Sequence, residues 1–441
     1  MSIPLSVFWF RRDLRLDDNA GLAHALSAGR PVLPIFIFDP AILSGLSPDD
    51  ARVTFIHDTL LALRTELECN YSSSLAIYFG SPLQIFDQIL NSYPVAAVYC
   101  NHDYEPDARK RDDAVCKWLH GRSVAFHSYK DHVIFERNEI LKENGGVYEV
   151  YTPYMRKWRK IQNQTAPLTF STTAKLANMV KQLPLPSLTL TDIGFVRSAM
   201  TIPPYKLNIE LLQHYAHDRD FPALQHTSLL GPHLRFGTVS IRQIFKQSLD
   251  YSNTFGNELI WREFFSQILW HYPRTQHSCF KMQYNRIQWR NDEAEFKRWC
   301  EGTTGYPLVD AGMRQLNATG FMHNRLRMIT ASFLCKHLLI DWRWGEAYFA
   351  KKLLDYEMAS NVGNWQWVAG CGVDAVPYFR IFNPALQIKK FDANFEYIQN
   401  WVGDWQTLAY PEPIVDHAFA RNRCLNIYRK AIVEVSSSPQ K

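Results

Sequence analysis

Residues 31–38 read PVLPIFIF, an uninterrupted apolar run that ends at the turn pair Asp39-Pro40. A short apolar run bounded by turn residues is typical of a strand that is buried on both faces. Similar runs lie at 6–10, 74–79, 95–100 and 123–128, and helix-like stretches at 19–28, 53–67 and 83–90 separate them. Because strands that alternate with helices form a mostly parallel sheet covered on both sides, we predict an α/β domain here, with ligands beyond the carboxyl ends of its strands.

The rest of the chain shows two other patterns. Residues 166–204 are polar and irregular and include Pro184 and Pro186, which indicates a long connection at the surface. Beyond Asn208 the apolar residues repeat with a period of 3.6, so this part is predicted to be helical. The expected division is an α/β domain at 1–135, a linker at 136–205 and an all-helical domain at 206–441.

The composition is that of a folded protein with many aromatic rings. Hydrophobic residues make up 46% and charged residues 21% of the chain, which excludes a disordered protein. Aromatic residues reach 14%, with 13 Trp, so many rings should line a core or a flat ligand. Residues 1–150 hold 14 Lys and Arg against 20 Asp and Glu, a net charge of −6, whereas residues 151–441 hold 34 against 23, a net charge of +11. The basic part is expected to meet a polyanion, although an uneven solvated surface explains the same numbers.

The chain lacks several common signatures. Its 8 Cys form no C-x-x-C pair and no zinc-like spacing with histidines, so neither a disulfide framework nor a metal site is expected. No signal peptide is expected, because residues 1–7 lack a charged segment that leads into an apolar one, and no apolar run reaches the length of a membrane span. No G-x-G-x-x-G or Walker sequence is present. The sequence therefore predicts a cytoplasmic protein with free thiols and no membrane contact.

Two predicted helices of the second half carry polar and aromatic side chains on one face. In 257–270, Glu258, Trp261 and Arg262 share a face that suits a flat polar ligand. A core tryptophan beside an ordinary Glu–Arg pair is the alternative.

The second helix is predicted at 320–336. Asn324, Arg327 and Met328 share one face, and Arg325 points about 100° away from Asn324. Two solvated arginines would produce the same pattern.

Two further segments suit close contact with a ligand. Residues 355–367 place small and turn-forming residues ahead of Trp365 and Trp367, which predicts a tight bend, either against a ligand or as a plain turn. Thr227 and Ser228 offer hydroxyl and amide donors to a phosphate, or they cap a helix without any ligand.

Six segments occur together in a familiar order. They are FWFRRDLRLDDNAGL (8–22), HTSLLGPHLRFG (226–237), ELIWREF (258–264), QLNATGFMHNRLRM (315–328), DYEMASNVGNWQW (355–367) and DAVPYFRIFNP (374–384). The chain thereby resembles the photolyase/cryptochrome family of blue-light flavoproteins over nearly its whole length, and most closely the class I cyclobutane pyrimidine dimer photolyases. The resemblance implies a Rossmann-like α/β antenna domain, a long linker and an all-helical domain that binds FAD.

The resemblance also implies which residues contact FAD. They are Tyr215, Thr227, Ser228, Leu229, Leu230, Gly231, Glu258, Arg262, Asn324, Arg327, Asp355, Glu357 and Asn361. In this arrangement Arg327 pairs with Asp355 beside the flavin, and the amide of Asn361 faces the flavin N5 atom.

A lesion pocket and an electron path are implied in the same way. The pocket would use Glu258, Trp261, Asn324, Arg325, Met328 and Trp367, with Glu258, Asn324 and Met328 acting in catalysis. Excited, reduced FAD would pass an electron to a flipped-out dimer in DNA and regain it after the ring opens. Trp365, Trp342 and Trp289 would form a separate path, from the flavin to the surface, that photoreduces oxidised FAD.

The chain departs from the family pattern at a few positions. Leu229 stands where many relatives have Arg, Glu357 replaces an Asp, and Phe321 replaces a Trp. Asp107-Ala108 stands where folate-binding relatives have Asn-Glu, which disfavours methenyltetrahydrofolate as a second antenna chromophore. A deazaflavin, a flavin or no antenna remains as an alternative.

Three functions are compatible with these residues. The favoured one is a carbon–carbon lyase, a monomer that repairs cyclobutane pyrimidine dimers in DNA. A blue-light photoreceptor of the cryptochrome type would also use FAD and the tryptophans. A light-independent flavin-binding protein would leave the lesion pocket and the spaced tryptophans unexplained.

Overall fold

The computed structural model of the chain describes residues 4–165, 168–181 and 184–433. The first of these ranges contains, in chain order, β1 Leu5–Phe10, α1 Ala20–Ser27, β2 Val32–Phe38, α2 Pro40–Leu43, α3 Ala51–Tyr71, β3 Ala76–Phe79, α4 Pro82–Ser92, β4 Val95–Asn101, α5 Pro106–His120, β5 Ala125–Tyr129 and α6 Tyr151–Gln164.

From Ile209 onward the described residues are mostly helical. They contain α7 Ile209–Asp218, α8 Gly231–Phe236, α9 Ile241–Leu249, α10 Asn253–His271, α11 Glu293–Glu301, α12 Pro307–Thr319, α13 Asn324–Ser332, α14 Trp342–Lys352, α15 Met358–Ala369, α16 Pro384–Phe391, α17 Glu396–Trp401 and α18 His417–Val433. A π-helical turn, Phe333–Leu338, continues α13. Among the described residues no helix is long and apolar enough to cross a membrane.

The described contacts divide the chain into two compact units. Unit 1 comprises residues 1–139, 158–205 and 229–250, and unit 2 comprises residues 140–157, 206–228 and 251–441. Both units are therefore built from separated stretches of sequence.

Unit 1 is organised around a parallel five-stranded sheet, as the sequence predicts. The strand order is β3-β2-β1-β4-β5, and every neighbouring pair is parallel. Side chains on both faces of the central strand are buried, with Phe8 and Phe10 in one core cluster and Val7 and Trp9 in another. The apolar runs lack polar alternation because both faces of the sheet are covered.

Residues 168–181 and 184–205 belong to unit 1. The sequence predicts a long surface connection here, but several of its apolar side chains are buried. Leu176, Met179 and Ile193 are buried in one core of the sheet. The backbone N–H of Val180 donates to the carbonyl of Val32 at 2.9 Å. Burial of scattered apolar residues thus holds an irregular polar segment in place.

In unit 2 two local predictions are also wrong. The helix expected at 320–336 begins only at Asn324, because Gly320 ends α12 in a left-handed conformation with φ 68°. Residues 358–369 form the regular helix α15 rather than a tight bend. Gly363 serves packing there, since a Cβ atom at this position would lie 2.2 Å from the ring of Phe265.

A buried ion cluster stabilises unit 1 and gives a testable effect of pH. Asp131 accepts hydrogen bonds from Arg15 at 2.7 Å and from Arg242 at 2.8 Å. Burial alone would raise the pKa of Asp131, but the two guanidinium groups lower it to about 2. We expect Asp131→Ala to reduce the free energy of unfolding by about 3–5 kcal/mol near pH 7, because it removes the buried carboxylate that Arg15 and Arg242 share and leaves Arg242 only its pair with Asp18.

The sign of the pH effect follows from the depressed pKa. Asp131 stabilises the fold fully above the pKa of an unfolded aspartate, about 4, and loses this effect as the pH falls toward 2. Urea unfolding at several pH values measures the difference between wild type and variant. The matched control is Asp58→Ala, which removes the exposed pair with Arg197 and should cost less than about 1 kcal/mol. An equal loss in both variants, or a loss from Asp131→Ala that does not shrink in acid, contradicts the prediction.

Candidate functional site

A cavity in unit 2 brings together residues that are far apart in the sequence. It contains about 520 Å³ of empty space, counted with the solvent at its mouth. Its lining is Asn324, Arg327, Met328, Ala331, Phe349, Leu353, Asp355, Tyr356, Glu357, Ser360, Asn361, Asn364, Trp365 and Val368. Seven of these were singled out from the sequence: Asn324, Arg327, Met328, Asp355, Glu357, Asn361 and Trp365.

Helix α13 supplies the cationic wall of this cavity. Arg327 and Asp355 form the expected ion pair in a bidentate geometry, with N–O distances of 3.1 and 2.8 Å. The Nε atom of Arg327 also donates to the carbonyl of Met322 at 2.8 Å. Three hydrogen bonds therefore fix the guanidinium in one orientation beside the cavity.

Asn361 lies on α15, and its amide group is oriented by hydrogen bonds to Glu346. Its Nδ2 atom donates to the backbone carbonyl of Glu346 at 3.1 Å and to Oε1 of the same residue at 2.9 Å. Burial raises the pKa of Glu346. Because both amide hydrogens point toward Glu346, the oxygen of Asn361 is the group that remains to accept a hydrogen bond from a ligand.

Glu357 forms an ion pair with Arg262. The distance between Oε1 of Glu357 and Nη2 of Arg262 is 2.9 Å. Arg262 comes from α10 and Glu357 caps α15, so this pair joins two helices.

A chain of ion pairs connects Glu258 with Arg325. Arg219 donates to Glu258, and its Nε atom lies 3.9 Å from Oδ1 of Asp220. Asp220 in turn accepts a hydrogen bond from Arg325. Burial raises the pKa of Glu258, and the guanidinium of Arg219 opposes this effect without cancelling it. Neither Arg219 nor Asp220 was singled out from the sequence, although Arg219 lies one helical turn after Tyr215, with its guanidinium 5.7 Å from that ring.

The aromatic side chains expected to border a lesion have different surroundings. Trp261 is stacked on Tyr151 with 3.6 Å between ring centroids, so one face of its indole is covered. Trp367 is half-buried at the edge of the core of unit 2. Arg325 packs its guanidinium 4.3 Å from the ring of Phe391. No spacing in the sequence indicates Tyr151, because its partner Trp261 is more than one hundred residues away.

The three tryptophans of the expected electron path differ in burial. Trp365 and Trp342 are buried, whereas Trp289 is partly exposed. A Cβ atom on Gly345 would lie 2.1 Å from the ring of Trp365, so that ring packs directly against α14, the helix that begins with Trp342. The path is thus compatible with a buried inner end and a surface-exposed outer end.

The remaining predicted residues lie outside the cavity lining described here. Thr227 and Ser228 belong to unit 2, whereas Leu229, Leu230 and Gly231 belong to unit 1. Leu229 has a left-handed backbone with φ 52°, and Gly231 begins α8. In unit 2 the ring of Tyr215 packs edge-on against Phe255, 5.0 Å away.

At the carboxyl ends of β1 and β4 in unit 1, protein side chains bond to one another and to the backbone. The guanidinium of Arg11 bonds to Asp112 and to the carbonyl of Asn101. In the Asp107-Ala108 segment at the start of α5, Asp107 is exposed and pairs with Lys110 at 2.9 Å.

The polar and apolar groups of the cavity in unit 2 fit a flavin. A flat ring needs apolar walls, which Phe349, Leu353 and Trp365 supply. Its polar edge needs acceptors and donors, which Asn361 and the pair Arg327–Asp355 supply. The guanidinium also suits a ring that becomes anionic when reduced.

Two family models and several curated relatives match this chain. A model described as DNA photolyase matches residues 6–172, and one described as the FAD binding domain of DNA photolyase matches residues 255–409. These matches, with the parallel sheet and the helical unit, define a flavoprotein with an FAD-binding domain. Proteins named deoxyribodipyrimidine photo-lyase are 35% identical in Alkalihalophilus pseudofirmus, over 97% of this chain and 98% of theirs, and 36% identical in Escherichia coli, over 96% and 98%. The chain belongs to the DNA photolyase family.

Solved structures give the same result. A bacterial class III photolyase from Agrobacterium tumefaciens has a TM-score of 0.87 at 33% identity, over 98% of both chains. An archaeal photolyase from Sulfolobus tokodaii, solved with two FAD molecules, has a TM-score of 0.81 at 33% identity, over 96% of this chain and 99% of that one. A cryptochrome from Synechocystis shares the fold, with a TM-score of 0.82 at 24% identity, over 97% of this chain and 100% of that one.

Proposed function

We propose that this protein splits cyclobutane pyrimidine dimers in DNA with light. The observation that carries the proposal is the double role of α13. Its residues Asn324 and Arg327 line the cavity that suits FAD, and Arg325 on the same helix is connected through ion pairs to Glu258. A cofactor and a lesion would therefore be held by one helix, close enough for electron transfer.

Bound and reduced FAD would supply, on excitation by light, the electron that opens the dimer ring and then returns. The chain's own residues hold the reactants. Arg327 and Asp355 fix the flavin edge, and the carbonyl of Asn361 accepts a hydrogen bond at N5. Residues Tyr215, Thr227, Ser228, Leu229, Leu230, Gly231, Glu258, Arg262 and Glu357 complete the FAD contacts.

In the lesion pocket, Trp261 and Trp367 provide flat walls for the two fused pyrimidines. Tyr151 is stacked on one face of Trp261, so that face is not available to a base. Asn324, Arg325 and Met328 contact the dimer from α13, and Glu258 hydrogen bonds to a base edge. A lesion in duplex DNA must leave the stack to reach these groups, as is general for photolyases.

Trp289, Trp342 and Trp365 would carry electrons from the surface to a bound FAD that has become oxidised. The net charge of +11 on residues 151–441 supports contact with DNA phosphates that is independent of sequence. The protein acts as a monomer in the cytoplasm.

The α/β domain, residues 1–135, is proposed to be the antenna domain, followed by the linker 136–205 and the catalytic domain 206–441. The archaeal relative solved with two FAD molecules supports a flavin as the second chromophore. Methenyltetrahydrofolate is disfavoured, because Asp107-Ala108 stands where folate-binding relatives have Asn-Glu and so lacks the carboxylate that would bond to the pterin.

The decisive experiment is repair of a thymine-dimer oligonucleotide by the chemically reduced protein, under blue light and in the dark. Loss of dimers only in the light supports the proposal. If FAD is bound and photoreducible but no dimer is lost, the protein is a photoreceptor of the cryptochrome type. The undamaged oligonucleotide serves as the control for light damage.

A further inference from the structure

His323 has one ring nitrogen engaged in capping helix α13. The backbone N–H of Arg325 donates to Nδ1 of His323 at 3.1 Å. The backbone N–H of His323 is held by Oε1 of Gln315 at 3.3 Å, and this oxygen also accepts from the hydroxyl of Tyr397 at 2.7 Å. Because Nδ1 is an acceptor, the neutral ring must carry its hydrogen on Nε2.

The surroundings of His323 keep the ring neutral. Burial lowers the pKa of His323 to about 4, and the nearby Arg325, Arg327 and Arg219 act in the same direction, against Asp220. At the pH of a cell the ring therefore carries no charge and presents a fixed N–H donor.

The Nε2–H group has no hydrogen-bond partner among the described residues, and the ring is only half-buried. It lies beside the ion-pair chain that joins Glu258 to Arg325. The next residue, Asn324, lines the flavin cavity. His323 itself does not line the cavity, so its Nε2–H group is a donor for a ligand that extends beyond the flavin site.

We propose that His323 donates a hydrogen bond from Nε2 to an oxygen atom of the damaged DNA strand. The oxygen belongs either to a pyrimidine carbonyl of the dimer or to a phosphate next to it. The inference rests on the proposed function. It adds His323 to the lesion pocket as a residue that binds the damaged strand in the ground state. The helix cap determines which ring nitrogen donates, because it selects the tautomer of His323 that carries its hydrogen on Nε2.

Two variants of His323 separate the loss of the Nε2–H donor from the loss of the helix cap. His323→Asn keeps a side-chain oxygen that can cap α13, because asparagine is among the preferred N-cap residues, but it lacks the Nε2–H group. His323→Leu loses both. For His323→Asn we expect the KM and the Kd for a dimer-containing oligonucleotide to rise about tenfold, with kcat, FAD content and melting temperature unchanged. For His323→Leu we expect the same loss of affinity and a lower melting temperature.

Binding of the undamaged oligonucleotide identifies the oxygen. An equal loss of affinity for damaged and undamaged strands assigns the bond to a phosphate, and a loss confined to the damaged strand assigns it to the dimer. Unchanged binding by His323→Asn overturns the inference. So does a fall in affinity accompanied by equal losses of thermal stability in both variants, since the cap would then explain it. If the wild-type protein repairs no dimers, it is the proposed function that fails.

Discussion

Photoreduction of oxidised FAD is expected to slow about a hundredfold when Trp365 is replaced by phenylalanine. Trp365 lines the cavity and is buried, so it is the proposed inner end of the electron path. A benzene ring is much harder to oxidise than an indole, and an added barrier of roughly 3 kcal/mol corresponds to about a hundredfold in rate. The measurement is the loss of oxidised-flavin absorbance under blue light with an external reductant in excess.

The matched control is Trp299→Phe. Trp299 is fully buried and its ring centroid lies 6.2 Å from that of Trp365, but it is absent from the cavity lining. Both variants remove similar volume from the core, and Trp299→Phe also removes the hydrogen bond from Nε1 of Trp299 to the carbonyl of Thr330 at 3.0 Å, so the control should destabilise the fold at least as much as Trp365→Phe. Only Trp365→Phe should block photoreduction, and chemically reduced protein of either variant should still repair dimers. Photoreduction of Trp365→Phe at the wild-type rate, or an equal block in both variants, contradicts the proposed path.

Patterns that arise from local periodicity were predictable from the sequence. The parallel sheet followed from apolar runs such as PVLPIFIF, and each of its strands lies within one or two residues of the expected limits. The predicted shared face of Asn324, Arg327 and Met328 is present in the structure, because all three line the cavity. Helical spacing determines such faces without reference to the rest of the fold.

Features that depend on distant partners were not predictable. Tyr151 covers Trp261, and Arg219 reaches Glu258, through contacts that no spacing in the sequence indicates. The turn-forming residues at 355–367 led to a wrong prediction of a tight bend, because Gly363 is required for close packing against Phe265 rather than for a bend. In each case tertiary contact decided between alternatives that local sequence left open.

The second large effect concerns Glu258, whose protonation is expected to control repair. Burial raises the pKa of Glu258 even though Arg219 donates to it. A dimer in the pocket would remove more water and raise this pKa further. Protonated Glu258 can donate a hydrogen bond to a pyrimidine carbonyl that gains negative charge, whereas ionised Glu258 can only accept one. Repair per absorbed photon should therefore increase as the pH falls through the pKa of Glu258.

Substitutions at this position separate charge from hydrogen bonding. Glu258→Gln donates a hydrogen bond at every pH, so it should keep most of the repair yield and lose the pH dependence. Glu258→Ala offers no donor, and we expect its yield to fall about tenfold at all pH values, the effect of one hydrogen bond to a developing charge. FAD content should not change in either variant.

Arg219→Gln tests the cause of the pH dependence. This change removes the cation that favours the ionised form of Glu258, so the pKa of Glu258 should rise and the pH profile of repair should move toward higher pH. The profile is measured with pre-reduced protein and saturating dimer, so that DNA affinity and photoreduction do not contribute. A Gln variant at position 258 that is as inactive as Glu258→Ala would show that the carboxylate itself is needed. In that case the pair with Arg219 would hold the charge in place for repair, and the wild-type yield should fall, rather than rise, as the pH is lowered.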